Sequence, residues 1–464
     1  MPPTTGLGVL RHEDPRLLER LRESASVIDG AVTSPERFEK WFSERCATQV
    51  HDVTPIPFAS MRNWSFAEGS GNLVHDSGHF FSVAGLDVEV GDGPVRNWSQ
   101  PIILQREIGV LGIAVREING VLHFLMQAKA EPGNPNGVQL SPTVQATKSN
   151  YTGVHRGRKV VYLEHFVDVE PHRVIADVLQ SEHGSWFYRK RNRNMLVEVG
   201  PDVEAGDDFC WLTLGQVQEQ LRIDHRVNMD ARTVLSCLPG IGTGTATDRG
   251  SGLHTGAEIL NWITNSQATY DLGTTVVGLT GLPGWQRSDW DISHDRGLFF
   301  SVKAVEVVAN SREVAGWTQP LIEPHGIGMA ALLVKRIDGV LHALLHARVE
   351  PGYIDTVELA PTVQGTPENH EYLRGSVHEQ LVDFAVRRQE GRVLFDAEMS
   401  EEGGRFYHSR SRYVIVEVGD DYPDQEPQGF RWMTMPQITW LLQHRHYLNV
   451  QARSLIACLR TCAS

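Results

Sequence analysis

Between Gly109 and Ala130 two apolar runs flank a short polar stretch centred on Asn119-Gly120. Asn-Gly tolerates the positive φ angles of a type I′ turn, whose twist matches paired strands, so the pattern predicts a β-hairpin. The same arrangement returns between Gly328 and Val349, around Asp338-Gly339. Each second strand closes at a Glu-Pro-Gly, Glu131-Pro132-Gly133 and Glu350-Pro351-Gly352. A proline there cannot donate to a ladder. A Pro-Thr-Val-Gln element follows at 142–145 and again at 361–364. Set against each other at a constant offset of 219, residues 109–151 and 328–370 are identical at 20 of 43 positions. The chain therefore carries a duplicated unit.

Other patterns repeat with it. Residues 14–29 read as a short amphipathic helix ahead of the first copy. Ser34-Pro35-Glu36 then has the form of an N-cap followed by proline at the first helical position. Phe38, Trp41 and Phe42 follow at helical spacing, matched by Ile259, Trp262 and Ile263. Strands are predicted at the two Phe-Phe-Ser-Val runs, 79–83 and 298–302, at 160–169 with 380–388, and at 195–199 with 414–418, and a Trp-x-Gln-Pro element recurs at 98–101 and 317–320. Each copy ends in two helices, starting near Thr213 and Asn228 or Thr434 and Asn449. This is an α+β unit with a mixed sheet and helices at its ends. The expected division is an N-terminal helical extension (1–30), a first repeat (31–240), a Gly-rich linker (241–256) and a second repeat (257–464). The linker has the composition of a flexible spacer and lacks the strand-to-helix context of a phosphate loop.

Composition narrows the function. The 464 residues are 41% hydrophobic and 22% charged, which is globular rather than disordered. A net charge of −14 argues against an extended nucleic-acid surface, while a small anionic ligand needs only a few arginines. No apolar run is long enough for a membrane span, and the N-terminus lacks a signal-peptide pattern. The five cysteines form no CxxC pair, which argues for a reducing cytoplasm and against a zinc site.

Several polar positions are candidates for chemistry. Arg191 and Arg193 match Arg410 and Arg412, and an Arg-x-Arg places both guanidiniums on one strand face. That suits bidentate phosphate binding or, equally in kind, a row of ion pairs. Trp64 and Trp290 lie in polar surroundings, as stacking platforms for a ring or as hydrophobic plugs. His123 and His342 fit a structural role. Lys129 and Glu131 lie two apart, hence on one strand face, a cation that can polarise a carbonyl beside a carboxylate that can act as base, or a simple ion pair. Ser149, Asn150 and Tyr151 correspond to Glu368, Asn369 and His370, as in a duplicated site of which one copy has drifted, or as in two loops that share only a turn asparagine. The stretch 396–404, Asp-Ala-Glu-Met-Ser-Glu-Glu-Gly-Gly, lacks most of a Nudix metal box and is not read as one.

Taken together, the duplicated Phe-Phe-Ser-Val, Trp-x-Gln-Pro, Glu-Pro-Gly, Pro-Thr-Val-Gln-x-Thr and Phe-Tyr…Arg-x-Arg elements resemble the NDP-hexose 2,3-dehydratases of antibiotic deoxysugar biosynthesis. The resemblance covers the chain beyond residue 30. It implies two Nudix-like halves, a cytoplasmic homodimer without a metal, and two sugar-nucleotide pockets of which one is vestigial. The implied substrate is dTDP-4-keto-6-deoxy-D-glucose. The ketone acidifies the proton on carbon 3, the enolate is stabilised by donors, and the carbon 2 hydroxyl leaves. The product, a dTDP-3,4-diketo-2,6-dideoxy sugar, would pass to a 3-ketoreductase. Because the ketone is the electron sink, no cofactor is required. The working pocket is expected around Trp64, Lys129, Thr147, Lys148, Ser149, Asn150, Tyr151 and Ser185. Tyr151 is the expected proton-transfer residue, Lys129 the polarising group and Glu131 the alternative base. Trp290, Asn369, His370, Glu371, Arg410 and Arg412 would form the second pocket, with the reverse assignment, His370 as base, left open. A non-catalytic nucleotide-sugar binding protein and a Nudix-type hydrolase are the competing classes.

Overall fold

The computed structural model describes residues 14–29, 32–49, 51–91, 95–147, 160–240, 252–310, 315–372 and 391–462, with only the backbone of 370–372. Helix α1 (Leu17–Ser26) precedes α2 (Pro35–Thr48), which starts as expected: the Ser34 side chain accepts a hydrogen bond from the Arg37 N–H at 3.3 Å. The first repeat continues with β1 (His51–Ile56), β2 (Trp64–Phe66), β3 (Leu73–His75), β4 (Ser82–Val90), β5 (Asn97–Leu104) and β6 (Gly109–Ile118). Then come β7 (Val121–Ala130), β8 (Val138–Ser141), β9 (Val144–Ala146), β10 (Val174–Ser181), β11 (Arg191–Glu198) and β12 (Phe209–Thr213). It closes with helices α3 (Leu214–Leu221) and α4 (Met229–Ser236), capped by Thr213 and Asn228.

The second repeat opens with α5 (Gly256–Thr269). It runs through β13 (Leu272–Val277), β14 (Trp285–Arg287), β15 (Asp291–His294), β16 (Phe300–Ala309), β17 (Gly316–Pro324) and β18 (Gly328–Ile337). There follow β19 (Val340–Val349), β20 (Val357–Ala360), β21 (Val363–Gly365), β22 (Gly391–Ser400), β23 (Arg410–Val418) and β24 (Phe430–Thr434). Helices α6 (Met435–Leu442) and α7 (Val450–Leu459), capped by Thr434 and Asn449, complete it.

Each repeat builds a large mixed sheet, β10-β11-β6-β7-β12 and β22-β23-β18-β19-β24, with β8 and β9 or β20 and β21 laid along the hairpin strands. The hairpins turn as predicted, with φ of 52° and 84° at Asn119-Gly120 and 50° and 79° at Asp338-Gly339. β6 pairs in parallel with β11, and β18 with β23. The first seven residues of β6 are all buried. A strand reads this way when both sheet faces are covered. Phe38, Phe42, Val217 and Val234 pack on one face, and Phe166, Phe209 and Trp211 on the other.

Phe166 corrects one expectation. Residues 160–169 are not a strand; they contain a short 3-10 turn, Leu163–Phe166. Their apolar side chains plug the outer face of the sheet, with the Phe166 ring so close to Gly112 that a Cβ there would overlap it. The ladder position falls instead to β10 and β22. The matching 380–388 stretch lies outside the described residues, as does linker segment 241–251. The end of the expected linker is structured: Thr255 makes a capping box with Glu258 at the start of α5.

Two smaller sheets join the repeats. β13 of the second repeat pairs with β4 of the first, Leu272 opposite Val90 through Val277 opposite Gly85. Reciprocally, β1 pairs with β16, His51 opposite Ala309 through Ile56 opposite Ala304. The halves thus exchange their first strands within one chain. Pro55, which cannot donate, is tolerated because β1 is an edge. Beneath these sheets lies a core drawn from both halves, including Phe81, Phe187, Phe300 and Phe406. On the other side α4 crosses α7. Arg232, fully buried, donates to Ser400 O at 2.7 Å, and Arg453 donates to Ser181 O at 2.5 Å, each reaching into the opposite repeat.

Candidate active site

The duplicated motifs meet at the junction of the halves. In Trp-x-Gln-Pro the indole fixes the glutamine: Trp98 Nε1 donates to Gln100 Oε1 at 2.9 Å and Trp317 Nε1 to Gln319 Oε1 at 2.7 Å. Each glutamine then donates to the turn that follows β10 or β22, Gln100 to Ser185 O at 2.6 Å and Gln319 to Gly404 O at 2.8 Å. Glu-Pro-Gly docks onto the corresponding turn of the other repeat. Gly133 N donates to Gly403 O, and Gly352 N to Gly184 O, both at 2.7 Å. A Cβ on either glycine would overlap a carbonyl oxygen, that of Phe406 or Phe187. Pro-Thr-Val-Gln supplies two contacts: the threonine hydroxyl joins the hairpin backbone, accepting from Ala114 N or Leu333 N at 2.9 Å, and the glutamine enters the pocket.

In the first pocket Lys129 Nζ donates to Gln145 Oε1 at 2.8 Å, Gln145 Nε2 donates to Glu131 Oε1 at 2.8 Å, and the ammonium lies 3.5 Å from that carboxylate. The second repeat contributes the facing wall, Glu402, Gly403, Gly404 and Arg405. Glu182, Lys190 and Asp230 complete the charged cluster. Asp230 Oδ1, Glu182 Oε2, Glu402 Oε2 and Asn134 Oδ1 are buried without a hydrogen-bond partner among the described residues. Unmet buried acceptors are costly, so this pocket is built to receive protons, water or a ligand. Burial, with Arg405 opposing and Glu131 and Glu182 reinforcing, pushes the Glu402 carboxyl up to about 7. Asp230 is held well above the usual range by burial and by Glu182, Glu131 and Glu402. Burial lowers Lys190 to about 8. Among the described residues no group of three or more His, Cys, Asp or Glu is placed to hold a metal ion.

The second pocket is closed by its own side chains. Arg348 Nε donates to Glu350 Oε1 at 2.8 Å, and Gln364 Nε2 to the same oxygen at 3.1 Å. Asn449 Nδ2 bonds Gln364 Oε1 at 2.7 Å and Tyr353 OH at 3.1 Å. Tyr353 replaces Asn134 and its ring fills the space next to Gly184. His183 replaces Glu402 and pairs with Glu401 at 3.0 Å, both almost fully buried.

The sequence candidates separate accordingly. Lys129 and Glu131 belong to the first pocket, Thr147 is half-buried directly after β9, and Ser185 lies on the wall of the second. Lys148, Ser149, Asn150 and Tyr151 lie outside the described residues, and the side chains of His370 and Glu371 are not described. Asn369 Oδ1 accepts from Phe299 N at 3.3 Å. Trp64 is the plug rather than the platform: it is 8% exposed, its ring 5.0 Å from that of Phe81, and its repeat partner is Trp285. Trp290, without an equivalent, is 55% exposed. For the arginines the ion-pair alternative holds. Arg193 grips Asp177 at 2.8 and 2.7 Å, Arg412 grips Asp396 at 2.8 and 2.8 Å, and Arg410 bonds Glu398 at 3.0 Å. Their guanidiniums are occupied by neighbouring carboxylates across the β10–β11 and β22–β23 pairs. Arg191 is half-buried opposite Ser181. Glu182, Lys190, Asp230, Glu402 and Arg405 are not among the sequence candidates. The recurrence of Ser-Glu at 181–182 and 400–401 was a readable signal for part of this set; nothing local marks Asp230.

The family model described as NDP-hexose 2,3-dehydratase matches the chain twice, over residues 35–238 and 256–459. The chain belongs to the NDP-hexose 2,3-dehydratase family. Similar proteins extend over nearly the whole length of this family member. A protein of Amycolatopsis orientalis is 46% identical over 100% of this chain and 98% of its own. One from Saccharopolyspora spinosa is 47% identical over 94% and 93%, and one from Streptomyces violaceoruber 43% identical over 93% and 98%. All three are described as dTDP-4-dehydro-6-deoxy-alpha-D-glucopyranose 2,3-dehydratases. In this 2,3-dehydratase family member the two matched segments are the two exchanged halves described above.

Proposed function

We propose that the chain is a hydro-lyase that converts dTDP-4-keto-6-deoxy-D-glucose to dTDP-3,4-diketo-2,6-dideoxy-D-glucose. Near-complete coverage by relatives of that description carries the reading. The first pocket is the working one: Asp230, Glu182 and Glu402 each keep a buried carboxylate oxygen without a hydrogen-bond partner among the described residues, whereas Tyr353 fills the second and His183 there is paired with Glu401. Lys129, steered by Gln145, polarises the carbon 4 ketone, and the developing enolate is stabilised by that cation in a site of low dielectric. Glu131, 3.5 Å from Lys129, takes the carbon 3 proton. Thr147 and, next in sequence, Lys148, Ser149, Asn150 and Tyr151 are assigned to substrate contact. Trp290 is the exposed ring available for stacking.

The wider reading is a chain with an extension (1–30) and two Nudix-like halves (31–240 and 257–464). They are joined by a 241–256 linker in a cytoplasmic homodimer that works without metal or cofactor and hands its product to a 3-ketoreductase in an antibiotic deoxysugar route. No helix among the described residues is long and apolar enough to cross a membrane.

The test is incubation of EDTA-treated protein with dTDP-4-keto-6-deoxyglucose, trapping the product with a 3-ketoreductase and NADPH, read by mass spectrometry. Loss of the carbon 2 oxygen is expected; unchanged sugar with tight dTDP binding would favour a binding protein, and metal-dependent release of phosphate a hydrolase. Exchange of the carbon 3 hydrogen in heavy water locates the base. Glu131→Gln is expected to abolish it and Tyr151→Phe to preserve it; the opposite pattern moves the base to Tyr151. Loss of activity in His370→Ala with full activity in both of those variants moves it to the second pocket.

A further inference from the structure

Elimination needs an acid as well as a base, because the carbon 2 hydroxyl is a poor leaving group until it is protonated. Glu402 borders the same space as Glu131. It comes from the turn between β22 and β23 of the second repeat, yet it faces the first repeat's pocket. Gly404 leaves a gap there: a Cβ on it would lie 2.5 Å from Glu402 Oε1 and 3.9 Å from Glu131 Oε1, so the two carboxyl groups border one small space. Glu402 Oε2 is without a hydrogen-bond partner among the described residues. The equivalent residue in the closed pocket, His183, is committed to Glu401.

We infer, building on the dehydratase reading, that Glu402 is the catalytic acid that protonates the departing carbon 2 hydroxyl, making the working site a composite of both halves. The electrostatics fit. Burial favours the neutral form of Glu402 up to about pH 7, opposed by Arg405, His183 and Lys190 and reinforced by the negative charge of Glu131 and Glu182.

The balance closes. Glu131 takes the proton from carbon 3, and the electron pair moves into the enolate. The enolate pair then forms the carbon 2–carbon 3 double bond as the carbon 2–oxygen bond breaks. The hydroxyl departs as water carrying the Glu402 proton. Tautomerisation passes the enol O–H proton to the Glu402 carboxylate, and Glu131 returns its proton to carbon 2. Both groups end as they began.

The experiment separates the two steps in one full-length protein. Wild type and Glu402→Gln are incubated with dTDP-4-keto-6-deoxyglucose in heavy water. Deuterium entry at carbon 3 and loss of the carbon 2 oxygen are followed together, with the 3-ketoreductase trap. The inference expects exchange in Glu402→Gln within about threefold of wild type and elimination slowed by about 100-fold or more. In wild type, elimination should fall as pH rises through about 7, while exchange does not follow that limb. Elimination at the wild-type rate in Glu402→Gln would overturn the inference, as would equal loss of both steps in a folded variant. Should Glu402→Gln fail to fold, Glu402→Asp keeps the acid one methylene out of place. Slowed elimination with intact exchange supports the role, and equal slowing of both overturns it. A wild-type protein that neither exchanges nor eliminates would instead remove the dehydratase reading itself.

Discussion

Gln139 and Glu358 occupy equivalent places on β8 and β20, and each meets a serine of the opposite repeat. Gln139 Nε2 donates to Ser400 Oγ at 2.6 Å, and Ser181 Oγ lies 2.5 Å from Glu358 Oε2. Burial pushes Glu358 up to about 8, with Ser181 and Arg453 opposing and Glu350 and Asp355 adding. A protonated glutamate has the shape and neutrality of the glutamine across the pseudo-twofold. Its folded pKa is raised, so the stability it contributes is present in full below the ordinary carboxyl range and lost by the time pH has passed about 8. Each pH unit between costs up to about 1.4 kcal/mol. Glu358→Gln is therefore expected to match wild type in urea unfolding near pH 5 and to exceed it by a margin that widens toward pH 8. A constant difference at both pH values would refute the neutral assignment. Little of this was legible in the sequence. Lys129 and Glu131 could be paired by strand alternation, since the rule is local. The arginine pairs could not be decided, because their carboxylate partners lie on a neighbouring strand 12 or 16 residues away.

Among the elements, the Glu-Pro-Gly closures fasten one half to the other. Gly352→Ala is expected to lower stability by about 2–4 kcal/mol, because the Phe187 carbonyl occupies the space of the new methyl and backbone cannot move aside cheaply. Gly120→Ala, at the hairpin tip where a Cβ meets nothing within 4 Å, should cost only about 1 kcal/mol through its positive φ. Equal losses in chemical denaturation would mean that the docking is loose. The hairpins, helix caps and terminal helices were legible because turn and cap chemistry resides in adjacent residues. Residues 160–169 were misread because a plug and a buried strand share the same apolar composition, and only the opposing sheet face distinguishes them. β1 was not read from the sequence, and nothing local to it says whose sheet it joins.

For the whole molecule, exchange of β1 and β13 makes neither half self-sufficient. The segment 1–250 expressed alone should fail to give a monomer with native thermal unfolding, because β4 loses its outer neighbour and β1 its sheet. Co-expression of 1–250 with 251–464 should restore a one-to-one complex of native mass by size exclusion. A stable, monomeric first half with a sharp transition would contradict the interlock. The duplication itself was plain from the repeated motifs, but the way the copies clasp was not, since strand pairing 200 residues apart leaves no trace in local pattern.

The exchanged strands also bear on how the two pockets came to differ. In a symmetric pair of identical chains every substitution is made twice, so a pocket cannot be closed on one side and kept open on the other. Two copies encoded in tandem escape that rule while the clasp keeps them together. Tyr353 can stand against Asn134, and His183 against Glu402, without either copy being lost. The closed copy then serves as scaffold, lending Glu402 and Arg405 to the wall of its neighbour.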